Sequence, residues 1–448
     1  MGKVTNFPKD TGVNPWYETS NNKNHKFTDI SELQDSYDYI IVGAGFGGVN
    51  AAFRLAENEP NAKIALFDAL KVGTFSSGRN AGFYEVDQFG GPLVGFSSYT
   101  HEDQLMLNKL NNKMAHKINS IIQDHDLNVD FRWDGMYHGI REAGNEKALK
   151  GLAAGFDSVG IGYEWVEGEE LAKRLGTKFY SKALYIRGNA LMNPAETIRA
   201  LAIALPENVS LFEETAIGEV KQGSNPSIVL TNGKEIKAKK IILTVNAFIK
   251  SFGFNNRSIK NMSAIQSFGA MTRVLTDEEF EPYKNVKPWG LVATHPAGAT
   301  VRFTPKKRVF VRTDIAYAPG EKLNIKDKRF ENAKPLLREA FEKRWPDLKH
   351  VPFEFEYGGL ISFTVNAQPL FGEIAQNIYA GTTSEGAGVV RASILGTYLA
   401  DLIQGKSSEE LNYIIKTYHP DYLPPEILRA PGARSVLLWK NLKAGSEM

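Results

Sequence analysis

The sequence predicts a two-part fold, α/β plus α+β: a discontinuous dinucleotide-binding domain on parallel strands and a second domain on a mostly antiparallel sheet. Three observations carry this. First, a strand, a glycine-rich turn, a helix and another strand fit between Tyr39 and Asp68, about the 30 residues of a βαβ unit. Second, apolar strand-like runs return at Val209–Phe212, Ser227–Leu230, Lys239–Val245 and Ile378–Gly381, as expected when one sheet is assembled from separate segments. Third, Met271–Leu275, Gly290–Ala293, Thr300–Phe303 and Val309–Thr313 are short β-forming runs separated by turns, the pattern of an antiparallel sheet.

The chain has 448 residues, more than a usual single domain. Residues 1–36 are polar and read as an arm before the first strand. Segments 37–125, 185–255 and 357–448 are expected to form the dinucleotide domain, and 126–184 and 256–356 the second domain. Within these, Leu105, Leu110, Met114, Ile118 and Ile122 recur at helical spacing and predict a helix over 101–124. Residues 145–175 read as helical and loop-rich, and 327–345 as a charged helix. Asn232-Gly233 marks a turn. The tail after Gly405 is Pro-rich and expected to be partly helical at most.

Composition narrows the function classes. Lys and Arg total 53 against 51 Asp and Glu, so net charge offers no reason to expect nucleic acid or an acidic membrane as partner. The basic stretches Lys237–Lys240 and Lys306–Arg308 read as solvated surface. There is no cysteine, which removes disulfides, iron–sulfur ligation, thiol catalysis and a cysteinyl cofactor link. Neither a leader peptide nor a bilayer-spanning run is predicted, and a cytoplasmic location is expected.

In Gly43-Ala44-Gly45-Phe46-Gly47-Gly48, residues Gly43, Gly45 and Gly48 occupy the glycine positions of G-x-G-x-x-G. They permit a tight turn, close approach of backbone to a pyrophosphate, and close helix–strand packing. The helix that follows offers N–H groups and a positive dipole end to phosphates. Asp68 ends the second strand 20 residues beyond Gly48, where a carboxylate can bind ribose hydroxyls, with Ala69 beside it. This is a Rossmann-type unit, and such a unit binds NAD or FAD. FAD is favoured, because the rest of the chain does not alternate like a simple dehydrogenase. The block around 209–246, with Ala216, Ile217, Asn246 and Ala247, returns to the same sheet. No second G-x-G-x-x-G stands in strand–helix context, so electrons are expected from the substrate rather than NAD(P)H.

Three separated motifs resemble the D-amino-acid oxidase (DAO) superfamily of FAD-dependent amine oxidoreductases. The first is the unit from Tyr39 to Asp68. The second is Phe75-Ser76-Ser77-Gly78-Arg79-Asn80-Ala81-Gly82, similar to the Ser-Gly-Arg-Asn-x-Gly segment of the γ-glutamylputrescine-oxidase-like branch. The third runs from Asn377-Ile378-Tyr379-Ala380 through Ser384-Glu385-Gly386-Ala387-Gly388-Val389 and resembles the strand, loop and helix that contact the flavin ring. Weaker matches lie at Asn14-Pro15-Trp16-Tyr17, Asn193-Pro194, Leu243–Ala247 and Arg302-Phe303-Thr304.

The resemblance implies a domain binding FAD through Gly43, Gly45, Phe46, Gly47, Gly48, Asp68, Ala69, Ser77, Gly78, Arg79, Asn80, Ala81, Gly82, Ala216, Ile217, Asn246, Ala247, Gly386, Ala387, Gly388 and Val389. Arg79 and Asn80 would bring a cation and an amide to the phosphate or flavin edge. It implies oxidation of a C–N bond in an amine or amino acid, by hydride transfer to flavin N5, giving an imine that hydrolyses. The acceptor would be O2 or a quinone. Arg302 is placed to hold a carboxylate or to pack at the domain interface; Arg308, Arg312 and Tyr357 have less claim. Glu385 is placed to meet a substrate ammonium or to be solvated. Many relatives carry His where this chain has Ala387, so any role of that His is lost.

Two other readings stay open. A flavin monooxygenase usually carries Gly-Asp where this chain reads Gly381-Thr382-Thr383-Ser384. A flavoprotein that oxidises a partner protein's side chain fits the change at Ala387. The eight histidines are scattered without paired metal-ligand spacing, and histidyl attachment of FAD is left open.

Overall fold

The structure, a computed structural model, describes residues 2–9, 12–87, 99–295, 297–323, 328–382 and 388–448. The expected site residues Glu385, Gly386 and Ala387 lie outside the described residues. Five parallel strands form the first sheet, in the order Val209–Phe212, Ile64–Phe67, Ser36–Val42, Glu235–Leu243 and Ile378–Thr382. Antiparallel strands extend it to nine. The second half of the central strand, Tyr39–Val42, is a continuous apolar run because both its faces are covered. Tyr39 and Ile41 pack into a cluster with the helices Phe46–Asn58, His101–Asp124 and Gly388–Ile403, while Ile40 and Val42 pack on the opposite side with Phe212, Ile249 and Phe252. Burial of each such Ile, Leu or Phe contributes roughly 1.5–3 kcal/mol.

The second sheet has eight strands, in the order Phe353–Phe363, Ser263–Thr272, Val309–Tyr317, Thr300–Phe303, Trp289–Ala293, Met136–Ile140, Lys182–Ile186 and Glu164–Glu167. All pairs are antiparallel except Trp289–Ala293 with Met136–Ile140. The helix Lys328–Arg344 covers one side of it, with Phe330, Leu337 and Phe341 packed against Phe268, Val309 and Val311.

Several expectations need correction. The boundaries at 184/185 and 356/357 fall inside Lys182–Ile186 and Phe353–Phe363, so the segment joins lie away from those positions. The strand expected at Met271–Leu275 is the end of Ser263–Thr272, whose Ser, Gln and Gly residues mask a fully buried strand. Residues 145–175 hold the helix Glu146–Val159, the strand Glu164–Glu167 and the helix Gly168–Leu175. The tail contains the helices Glu409–Thr417 and Glu426–Ala444. Pro420, Pro424 and Pro425 lie between them, where proline does not interrupt hydrogen bonding, and only Pro431 sits inside a helix. The arm is built into the molecule. Gly2–Lys3 pairs with Glu219 and Val220, and buried Trp16 donates through Nε1 to the Tyr357 hydroxyl at 3.1 Å.

Candidate active site

The carboxyl ends of the parallel strands converge on the glycine turn, where ligands of open α/β sheets bind. Gly43 has φ +102°, and a Cβ there would lie 2.8 Å from the Thr244 carbonyl oxygen. A Cβ on Gly48 would lie 1.9 Å from the Gly43 oxygen, so only glycine lets the helix start this close to the strand. Thr244 Oγ1 donates to the Gly43 carbonyl at 2.8 Å and ties the turn to the neighbouring strand end. The helix Phe46–Asn58 starts after Gly45 with no side-chain cap and no acid in its first turn. Its N-terminal dipole end is left for an anion.

Asp68 closes one end of the cradle. Its Oδ2 accepts from Ala44 N–H and its Oδ1 from Leu70 N–H, both at 2.9 Å. Burial pushes its carboxyl pKa up to about 6, against the pull of these bonds.

Two adjoining cavities run along the turn. The smaller, about 130 Å³, is lined by Gly43, Gly45, Asp68, Ala69, Ser77, Ile217 and Asn246, among others. The larger, about 350 Å³, is lined by Gly45, Phe46, Gly47, Ser77, Arg79, Asn80, Ala81, Asn246, Gly388 and Val389, and by the second sheet. They share Gly45, Ser76, Ser77, Thr244 and Asn246. An elongated dinucleotide fits this trough: a ribose acid at one end, an uncapped helix start in the middle, and room for a ring system beneath the second sheet.

Gly48, Gly78, Gly82, Ala216 and Ala247 lie behind the cavity walls instead of lining them. Gly48 sits under the turn, and Gly78 lies against the Gly73 oxygen. Gly82, at φ +76°, adjoins Arg302. The Ala216 carbonyl accepts from Thr231 N–H at 3.1 Å, and Ala247 packs with Phe248, Ala264 and Leu360. Arg79 donates to the Thr74, Gly358 and Gly12 carbonyls at 2.7, 3.0 and 2.9 Å, joining the motif loop to the second sheet and the arm. Asn80 donates to the Ser77 carbonyl and accepts from Gly82 N–H.

Arg302 is not among the residues that line either cavity. Its side chain crosses Gly290, where a Cβ would meet Arg302 Cδ at 2.7 Å. Nη1 donates to the Ala81, Gly82 and Met192 carbonyls at 2.9, 2.6 and 3.3 Å. The guanidinium lies over the Trp16 and Phe83 rings, 5.6 and 5.3 Å from their centroids. Burial lowers its pKa to about 10. These contacts tie it into the seam between the motif loop and the second sheet, while its Nε and Nη2 are buried without a hydrogen-bond partner among the described residues.

Besides Arg79, the charged wall of the larger cavity comes from residues outside the motifs of the resemblance: Glu85, His138 and Arg312. Val309 and Val311 point into the core of the second domain, so Phe310 and Arg312, on the alternate face, look into the cavity. Burial lowers the Arg312 pKa, and the charge of Glu85 works against that. Arg312 Nη1 is buried without a hydrogen-bond partner among the described residues. His138 Nε2 lies 3.2 Å from Oδ2 of buried Asp87. Burial alone would lower the His138 pKa, but the bond to Asp87 and its charge hold it above the ordinary value. The alternation of Val309–Tyr317 was the one sequence signal that could have singled out Arg312.

A pyrophosphate cradle at the edge of a parallel sheet, roofed by a largely antiparallel sheet, defines a dinucleotide-dependent flavoenzyme class. The chain belongs to the FAD-dependent oxidoreductase (DAO) family, whose match spans residues 38–402. It is accordingly an FAD-dependent oxidoreductase. It is 24% identical to the probable oxidoreductase OrdL of Haemophilus influenzae, covering 90% of each chain. It is 22% identical to the γ-glutamylputrescine oxidoreductase of Escherichia coli K12, over 93% of this chain and 94% of that one. Among solved structures, glycine oxidase from Bacillus cereus superposes with TM-score 0.68 at 15% identity, over 87% of this chain and 100% of that one. L-proline dehydrogenase from P. horikoshii superposes with TM-score 0.66 at 16% identity, over 85% and 97%.

Proposed function

We propose that the protein oxidises the C–N bond of a small amino acid carrying a free carboxylate. The observation that supports this most is Arg312, a buried guanidinium in the wall of the larger cavity with an unused N–H. A carboxylate would satisfy it with a charge-assisted bond, roughly twice as strong as a neutral one. Glu85 supplies the opposite charge to meet the substrate's ammonium. The balance of Arg312 and His138 against Glu85 and Asp87 suits a zwitterion better than a bare cation.

FAD, held along the trough by the glycine turn and Asp68, would supply the hydride acceptor; the substrate's ammonium would first give up a proton to water, so that the nitrogen lone pair forms the C=N bond as hydride leaves the carbon. The chain's own residues position and exclude. Phe268, Phe310 and Tyr357 wall the cavity with apolar surface, and their rings keep water from the reacting carbon. The contact with Asp87 orients the His138 ring in the wall of the cavity and favours its protonated form. Release of the imine into water completes the reaction by hydrolysis. On this reading the parallel-sheet segments carry the cofactor and the eight-stranded sheet carries the substrate wall.

The test is an anaerobic spectral titration of the FAD-loaded protein with amino acids, N-methyl amino acids, γ-glutamylated amines and polyamines. Bleaching of the flavin band by carboxylate-bearing amines, and not by polyamines, supports the reading. Bleaching by polyamines alone removes the carboxylate clamp. Bleaching by no small amine removes the reading altogether. Air readmission then shows whether O2 serves as acceptor.

A further inference from the structure

The C-terminal helix Glu426–Ala444 is fastened to the outside of the second sheet along a narrow seam. Ala433, Leu437 and Ala444 are buried against Ile265, Ile315 and Phe363. Asn441 Nδ2 donates to Asp314 Oδ1 at 2.7 Å. Just beyond the helix, the buried Glu447 carboxylate accepts from the Arg141 and Glu142 N–H groups and, at 2.7 Å, from Asn145 Nδ2. These contacts fix which face of the helix turns outward.

The outward face is apolar. Ile427, Leu428, Leu438, Trp439 and Leu442 are 82, 67, 62, 58 and 72% exposed. At about 100° per residue, they fall within about 120° of the circumference, nearly opposite the seam. Single exposed apolar residues are ordinary, but five on one face, grouped at the two ends of the helix with Pro431 and Ser435 between them, mark a contact surface. Arg434 and Lys443 border the row on its two sides, exposed and without an ion pair among the described residues. The helix carries Arg429, Arg434, Lys440 and Lys443 against one acid, Glu426, and that acid pairs with Arg429. A near-neutral whole chain therefore hides a local cationic segment.

We propose that this helix seats the protein on an anionic lipid surface, in the plane of the headgroups. A Trp- and Leu-bearing apolar row with a basic border is the pattern of an interfacial helix, whose binding sums buried apolar area and attraction to anionic lipid. The helix's one acid, Glu426, is already paired with Arg429, so a second copy apposed face to face through this helix would bring cations towards Arg434 and Lys443. Attachment is peripheral: among the described residues, no helix is long and apolar enough to cross a membrane. The inference stands independently of the substrate reading, since it uses none of the residues around the cavity.

The test is co-sedimentation of the FAD-loaded full chain with phosphatidylcholine vesicles, with and without phosphatidylglycerol, at low and high salt. The wild type is expected to bind the phosphatidylglycerol vesicles at low salt, at least about tenfold more strongly than phosphatidylcholine alone. Trp439 emission should shift to the blue on binding, and Trp439→Phe should abolish the shift. Leu438→Ser/Leu442→Ser and, separately, Arg434→Glu/Lys443→Glu should each lower binding about tenfold or more. All four positions are exposed, so melting temperature should hold. Wild type left in the supernatant at low salt overturns the proposal, as does binding that survives both variants. A lipid-free dimer that Leu438→Ser/Leu442→Ser converts to monomer assigns the face to a second copy and also overturns it.

Discussion

Gly396, in the helix Gly388–Ile403, lies so close to Gly47, in the helix that follows the glycine turn, that a Cβ on Gly396 would stand 1.9 Å from the Gly47 carbonyl oxygen. The atom in the way is backbone, so no side chain can yield. The helix Gly388–Ile403 thereby braces the first turn of the helix Phe46–Asn58, and both line the larger cavity near their starts. Gly396→Ala should force the helices apart, costing about 1–3 kcal/mol and lowering FAD occupancy. Gly151→Ala is the control: it lies in the helix Glu146–Val159 with nothing within 4 Å of an added Cβ. That change should stabilise by about 0.5–1 kcal/mol. Thermal melts and the flavin absorbance of the purified proteins check both.

Arg302→Met separates an interface role from a substrate role. The substitution leaves carbonyl acceptors of Ala81, Gly82 and Met192 short of a donor in a buried seam. The expected cost is about 2–3 kcal/mol of stability, read by urea denaturation. KM for an oxidised amine should stay within about twofold of wild type. A KM raised tenfold or more at unchanged stability would return Arg302 to the substrate.

The local parts of this architecture were legible in the sequence. The turn from Gly43 to Gly48 and the acid at Asp68 are encoded by neighbouring residues, because turn chemistry and helix starts are short-range. The helix His101–Asp124 and the strands Val209–Phe212, Ser227–Leu230 and Thr300–Phe303 follow from periodicity. The destination of a side chain was not legible where a distant segment decides it. Arg302 sits in the predicted strand, but the absence of a side chain at Gly290 opens the groove that leads it away from the cavity. Glu85, His138 and Arg312 meet only after three separate segments assemble. In the tail, the prolines made the segment read as partly helical at most, because the apolar seam of Ala433 and Leu437 needs the second sheet to make sense.

Arg312→Gln should spare FAD and impair the substrate. Losing one charge-assisted bond to a carboxylate costs about 1.5–3 kcal/mol, a fall of roughly 10- to 150-fold in kcat/KM. An amine analogue lacking the carboxylate should change less than about threefold, since it never used the guanidinium. Steady-state kinetics on the matched pair of substrates checks this. An equal loss on both would show that Arg312 shapes the cavity instead of reading the carboxylate.

The His138–Asp87 pair makes stability depend on pH with a defined sign. The His138 pKa lies above the ordinary 6.5 in the folded protein, because Asp87 outweighs the effect of burial. Folding therefore binds the proton more tightly. The stabilisation is complete below the unfolded value and is lost as pH rises through the folded value. His138→Gln removes a proton-binding group and with it this dependence. The difference in urea midpoint between wild type and His138→Gln should thus be larger near about pH 5.5 than near about pH 8.5. A difference that stays flat would mean that the imidazolium gains nothing from Asp87, and one that grows with pH would mean that burial dominates and His138 is held neutral. Only a difference that is larger at low pH is compatible with a protonated His138 in the cavity wall, so the same titration tests the charge balance on which the zwitterion reading depends.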